Sequence, residues 1–181
     1  MRADAERNRE RILAAAEEVF GEAGVAGSTE EVARRAGVGV GTVFRHFPTK
    51  DDLVAAALVA HFTELTAQAR AATADPDAMS ALRRLVRTMI ETGAVKVRLL
   101  ELVRGGGEPP AVVVAASGEL RDAVGAVLRR AQRAGAVRRS VSVDEVYLLI
   151  RGLAQASASQ PTSARTLARA VEVVLDGLAA R

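Results

Sequence analysis

Apolar residues recur at three- and four-residue intervals along nearly the whole chain, and nowhere do they alternate with polar residues over the length of a strand. With alanine abundant and β-branched alternation missing, there is no sheet to build; the chain must bury the apolar stripes of helices against one another. The punctuation places the ends. A first helix is expected from about Asp4 to Ala23, with Ile12, Leu13, Ala16, Val19 and Phe20 on one face and Gly24 in the left-handed position that stops it. Ser28-Thr29-Glu30-Glu31 reads as a capping box opening a short helix to about Ala36, Gly37 turns the chain, and a second short helix covers about Val40 to His46 before Phe47-Pro48. Thr49-Lys50-Asp51-Asp52 launches a long helix to about Ala72, and Asp75-Pro76 is expected to cap and open the next, to about Thr92. Further helices are expected over about Val95–Arg104, Ser117–Ala134, Val143–Ala158 and Thr162–Ala179, with a loop from Gly105 to Pro110 and a capping box at Ser142-Val143-Asp144-Glu145. The fold class is therefore all-α.

At 181 residues, 49% of them hydrophobic, the chain can bury a core without staples. It has no cysteine, which excludes disulfides, thiol chemistry and cysteine-ligated zinc. His46 and His61 are the only histidines, so neither a metal nor any other cofactor is expected. The N-terminal stretch lacks the apolar core of a secretory signal, and the uncharged run from Gly152 to Ala164 is too short and too polar to cross a bilayer, so a cytoplasmic protein without membrane contact is expected.

Net charge is only +3, yet the pI is about 10.1 because all cations but Lys50 and Lys96 are arginine. Distribution says more than the sum. From Arg34 to Lys50 stand four cations, Arg34, Arg35, Arg45 and Lys50, and no acid. Two short helices joined at Gly37, the second small-residued at its start and free of acids, match the requirements of a helix-turn-helix whose second helix enters a major groove. Val43 and Phe47 would face inward, leaving Val40, Gly41, Thr42, Phe44, Arg45 and His46 for DNA. On turn geometry alone a structural helical corner stays open. A nucleotide-binding glycine loop at Gly37, Gly39 and Gly41 does not: Thr42 and Phe44 stand where the third glycine of that motif would fall, and no strand precedes it.

The wider string settles more. Ile12-Leu13, Ala15-Ala16, Phe20, Gly24, Ser28, Val32-Ala33, Ala36-Gly37-Val38, Gly41-Thr42-Val43-Phe44, His46-Phe47, Lys50 and Leu53 resemble, in order and spacing, the TetR family of transcriptional regulators. The resemblance implies a helix-turn-helix DNA-binding domain over residues 1–48 and a helical regulatory and dimerisation domain over 49–181. It implies DNA contacts from Ser28, Val40, Gly41, Thr42, Phe44, Arg45, His46 and Lys50. Thr42 and Arg45 fall at base-edge or nearby phosphate positions, and an Arg–guanine pair discriminates by about 1–3 kcal/mol. Phe44 stands where the family usually has Tyr, so a phosphate-binding hydroxyl is lost while the ring can still meet sugar or a thymine methyl. His46 matches a phosphate contact, and Lys50 would add its ammonium to helix-terminal amides around one phosphate. Gly39 replaces the usual Ser or Thr cap, a loss of a few tenths of a kcal/mol. Arg7, Arg9 and Arg11 could reach phosphates, but interleaved acids also fit a solvated helix face.

In the last two helices the small residues Ala154, Ala156, Ala158, Ala170 and Gly177 alternate with Val and Leu, which suits a close four-helix interface in a homodimer. A two-fold dimer implies a double-stranded, pseudo-palindromic operator. The resemblance further implies a small effector in the helical domain. Leu82, Met89, Leu99, Leu102, Leu128 and Tyr147 are the candidate lining residues, though residues of this kind are more often core than ligand contacts. With so few aromatics the effector is expected to be apolar or weakly acidic, oriented by Tyr147, Arg104 or Gln132, and the Gly105–Pro110 loop is a candidate entrance or hinge. No nucleophile–base pair or carboxylate dyad stands out, so no enzymatic activity is expected. The reading is a ligand-released repressor. A regulator that uses the helical domain only to dimerise, and a small-molecule-binding helical protein with a structural helix-turn-helix, remain as alternatives.

Overall fold

The structure, a computed structural model, describes residues 2–104, 107–160 and 162–180, without the side chains of residues 2, 3 and 104. The described residues form helices α1 (Arg2–Ala23), α2 (Thr29–Ala36), α3 (Val40–His46), α4 (Lys50–Ala72), α5 (Ala78–Glu91), α6 (Gly93–Arg104), α7 (Ala111–Arg133), α8 (Val143–Ser159) and α9 (Ala164–Leu178). A single 3-10 turn over Gly24–Ala26 follows α1, and the one β-type pairing among them is the isolated bridge between Val137 and Ala179. The all-α fold matches expectation, and none of these helices is long and apolar enough to cross a membrane.

The chain forms two compact units, one from residues 1–61 and 95–114, the other from 62–94 and 115–181. These units do not follow a cut at residue 48: the start of α4 and most of α6 lie with the helix-turn-helix.

In the first unit, α1 packs on α2 and α2 on α3. Ile12, Ala16, Phe20, Val32 and Val43 are wholly buried, the periodic positions that the helical spacing selects. Gly24 and Gly37 take φ of 55° and 66°, a region that costs other residues strain. Gly37 closes α2 with paired bonds, its own N–H to the Arg34 carbonyl and that of Val38 to Ala33, so two otherwise orphaned carbonyls are satisfied. From α6, Val95 approaches α1 at Gly21, where a side chain would crowd it, and the Arg98 guanidinium donates to the Gly21 carbonyl.

In the second unit, α5 packs on α8 and α9, and α8 on α9. Its buried residues include Leu82, Val86, Met89, Ile90, Val124, Val127, Val146, Ile150, Val171 and Leu175. A side chain at Gly93 would overlap the Ala154 methyl, so Ala154 serves this internal contact and is buried, not free for a partner chain. Ala156 and Gly177 are exposed, and Ala158 and Ala170 are half-buried.

The starts of α5 and α7 and the capping of α2 differ from the sequence reading. The α5 cap is Asp77, whose carboxylate accepts the Ser80 N–H at 3.0 Å; Asp75 instead accepts the Asp77 N–H at 2.8 Å and shapes the turn. Helix α7 opens at Ala111, six residues before Ser117, because the Pro110 carbonyl takes the N–H groups of Val113 and Val114 at once. At Ser28 only half a capping box forms: Ser28 Oγ accepts the Glu31 N–H at 3.1 Å, while the Glu31 carboxylate turns to Arg34. The Ser142–Glu145 box is complete in both directions. Of the expected loop from Gly105 to Pro110, residues 105 and 106 lie outside the described residues, as does the side chain of Arg104.

Candidate nucleic-acid interface

Helix α3 is seven residues long and has little intrinsic stability, so packing must hold it. Val43 at 0% and Phe47 at 4% exposure are its anchors. Gly39 opens it without a side-chain cap, its carbonyl accepting the Thr42 N–H at 2.8 Å. Val40, Gly41, Phe44 and Arg45 then lie exposed on the opposite face, at the spacing that puts residues one turn apart on a single stripe. Phe44 is 45% exposed, a large ring left in water. Thr42 and His46 flank the stripe, half-buried, and the His46 ring lies 6.2 Å from that of Phe47.

Tertiary contacts redistribute the charge that the sequence concentrates between residues 34 and 50. Arg34 forms a two-point pair with Glu31, its Nε at 2.8 Å, and this hydrogen bond holds the Glu31 carboxyl below the usual carboxylate range. Arg35 donates to Glu22 at 3.1 Å, with Glu18 and Glu31 just beyond. Both pairs are neutralised by acids from α1 and α2. Lys50 is turned inward: its ammonium donates to the carbonyls of Gly27 at 2.6 Å and Val25 at 3.1 Å and lies 5.2 Å from the centre of the Phe20 ring. Two of its three N–H donors are thus occupied, which departs from the expectation of a phosphate contact. Of the four, only Arg45 is both exposed and without an ion pair or carbonyl partner among the described residues.

The three N-terminal arginines also have local work. Arg7 pairs with Asp4 at 2.6 Å, Arg9 lies 5.5 Å from the centre of the Phe47 ring, and the Arg11 guanidinium sits over Gly37, where a Cβ would meet it at 2.6 Å. Arg9 and Arg11 therefore support the end of α3 and the turn at Gly37 from α1. Sequence reasoning missed this, because the pairings join residues 26 to 38 apart. Ser28, half-buried, keeps its cap on α2.

Of the six residues expected to line an effector site, Leu82, Met89, Leu99, Leu128 and Tyr147 are buried and Leu102 is half-buried. Leu99 and Leu102 belong to the first compact unit and the other four to the second. The Tyr147 hydroxyl is buried without a hydrogen-bond partner, the Arg121 guanidinium lies 5.5 Å from its ring centre, and burial pushes the phenol pKa up. Gln132 donates to the carbonyls of Arg138 and Val141 at 3.1 and 2.7 Å, so its amide closes the turn after α7 and is not offered to a ligand. Two open clefts in the second unit, of about 400 and 660 Å³, are lined by none of the six. No group of three or more His, Asp or Glu among the described residues could hold a metal ion.

Comparison with known proteins agrees with this geometry. Residues 12–57 match the model of the bacterial regulatory proteins of the tetR family, and residues 75–180 match that of the SbtR-like transcriptional regulator C-terminal domain. The crystal structure of a TetR transcription regulatory protein from Mycobacterium vanbaalenii is 35% identical, with a TM-score of 0.80 and 98% of each chain covered. That of a TetR transcriptional regulator from Streptomyces coelicolor is 31% identical, with a TM-score of 0.83, covering 95% of this chain and 98% of the other. An HTH-type transcriptional regulator of Staphylococcus aureus (strain USA300) is 46% identical over 54 residues, which span 29% of this chain and 29% of that protein.

Proposed function

Because the chain belongs to the TetR family of bacterial transcriptional regulators, we propose that it is a sequence-specific DNA-binding repressor that acts as a dimer on a pseudo-palindromic operator. The exposed stripe of α3, with Arg45 the one cation of its segment left without a partner, carries this reading. Residues 1–48 read DNA and residues 49–181 dimerise and regulate. Val40, Gly41, Thr42, Phe44 and Arg45 meet base edges and sugars, while His46 and the Ser28 end of α2 meet phosphates. A small apolar or weakly acidic effector in the helical domain releases DNA; a coupling of about 1–3 kcal/mol suffices. The protein works in the cytoplasm and performs no chemistry. A regulator without an effector remains the second reading, favoured by the dense packing around Leu82, Met89 and Leu128. The helical-carrier alternative loses its ground, since the DNA-binding region itself matches the family.

The test is selection of a site from random duplexes, followed by binding anisotropy at several salt concentrations. Arg45→Ala is expected to weaken binding by about 1–3 kcal/mol and to relax the sequence preference at one position of each half-site. No enriched palindrome, with weak binding indifferent to Arg45→Ala, would sink the reading.

Lys50 makes a separate prediction. Its ammonium ties the turn before α2 to the start of α4, so Lys50→Met should lower operator affinity through loosened geometry while leaving the slope of log K against log salt unchanged. A phosphate contact would instead reduce that slope by about 0.9. Amide exchange at Gly24–Ser28 should quicken in the variant; unchanged exchange with a reduced slope would return Lys50 to the phosphate role.

A further inference from the structure

Between Asp122 and Asp144 the chain carries no acid but five arginines: Arg129, Arg130, Arg133, Arg138 and Arg139. Elsewhere in the same unit arginines meet carboxylates, as Arg83 and Arg87 meet Glu172, Arg84 meets Asp75 and Arg121 meets Asp144. None of the five forms an ion pair among the described residues. Cations favour the C-terminal end of a helix, which accounts for arginines in the last turn of α7. It does not account for what the fold does with two of them.

Arg130 and Arg133, three apart on α7, line the cleft of about 660 Å³ together with Thr73, and Pro76, Ala78, Ala126 and Ala134 form its apolar wall. Arg130 Nη2 donates to the Asp75 carbonyl, but its Nη1 is buried with no hydrogen-bond partner. A buried N–H of this kind is normally satisfied. The nearby carboxylates are engaged elsewhere: Asp75 with Arg84 and the Asp77 N–H, Asp77 with the backbone and hydroxyl of Ser80. The guanidinium is therefore held along one edge only. An oxyanion in the cleft would supply the acceptor that Nη1 lacks, once the side chain shifts to admit it. Two guanidinium forks beside a small apolar wall suit a carboxylate with a short hydrocarbon body.

We infer that this cleft binds a small organic carboxylate, its oxygens between Arg130 and Arg133 and its carbons against Pro76, Ala78, Ala126 and Ala134. The site deepens the proposed regulation by naming an effector class and a place for it, yet binding to the free protein does not depend on the DNA reading. Hexanoate is the probe, titrated calorimetrically into the full chain without DNA, with acetate and inorganic phosphate in parallel. Hexanoate should bind in one-to-one stoichiometry, with affinity about tenfold weaker in Arg133→Gln and lost in Ala126→Phe, which fills the cleft and keeps both arginines. Arg133 is exposed, so its variant should melt as the wild type does. Hexanoate binding untouched by both substitutions, or no binding at all, overturns the site. Equal binding of acetate, phosphate and hexanoate overturns the apolar half and leaves an adventitious ion only. A failed operator selection beside cleft-dependent hexanoate binding would sink the DNA reading and leave this site standing.

Discussion

Leu148→Glu combined with Val173→Glu is expected to yield a folded monomer whose operator affinity falls by about two to four powers of ten. Leu148 on α8 is 63% exposed and Val173 on α9 is 72% exposed, although both helices pack closely on their other sides, with Ile150 and Val171 buried. Gly152 and Ala156 follow Leu148 one and two turns on, and Gly177 follows Val173 by one turn, all exposed. Large side chains beside small ones at four-residue spacing supply the ridges and grooves by which two helix pairs interlock. In the proposed dimer these stripes face the partner's α8 and α9, so each glutamate would be buried at an apolar seam without a cation to pair with. Because both positions are exposed in the single chain, the fold itself should lose little. Operator binding suffers through valency: two half-sites engaged by one dimer gain about 10²- to 10⁴-fold over independent binding. Sedimentation gives the mass and anisotropy the affinity. A variant that stays dimeric would move the interface away from α8 and α9, and a monomer with undiminished affinity would remove the need for a dimer.

The largest loss of stability is expected from Phe20→Ala, about 3–5 kcal/mol in urea unfolding. Phe20 is fully buried at the end of α1, and its ring lies against Gly27, where a Cβ would come within 2.8 Å of it. The same ring carries the Lys50 ammonium. Truncation thus opens a cavity, removes the cation–π contact and loosens the turn that presents α2. A domain has about 5–15 kcal/mol to lose, so the variant should lie near the edge of folding. Phe44→Ala is the matched control: that ring is half in water, so stability should hold within about 0.5 kcal/mol while DNA affinity falls. A loss below about 1 kcal/mol at Phe20 would contradict the packing described for the first unit.

Most of the helices, the left-handed Gly24, the turn at Gly37 and the Ser142–Glu145 box were legible in the sequence. So was the stripe of α3, because Val43 and Phe47 are the only strongly apolar residues on its inner side and the remainder had to face out. The start of α5 was not legible. The sequence points to Asp75 before Pro76 as the cap, but the Asp75 side chain is drawn into the turn by the Asp77 N–H, and Asp77 caps the helix instead. The start of α7 was missed for a related reason: Pro109-Pro110 reads as the continuation of a loop, yet Pro110 offers its carbonyl to a helix that begins immediately.

The charges teach the sharper lesson. Four cations without an acid between residues 34 and 50 looked like a basic patch, but Glu18 and Glu22 of α1 reach Arg35, and Glu31 takes Arg34. Lys50 went to backbone carbonyls some 25 residues back. The same packing left Arg45 outward and placed Arg130 and Arg133 around one cleft. A helix is held by bonds between residues four apart, and its caps by residues three apart, so helices and most of their ends are written locally in the amino-acid order. Which arginine stays exposed and unpaired, which is silenced by a carboxylate and which lines a cavity depends on partners tens of residues away, and only the packing of helices on one another brings those partners within reach.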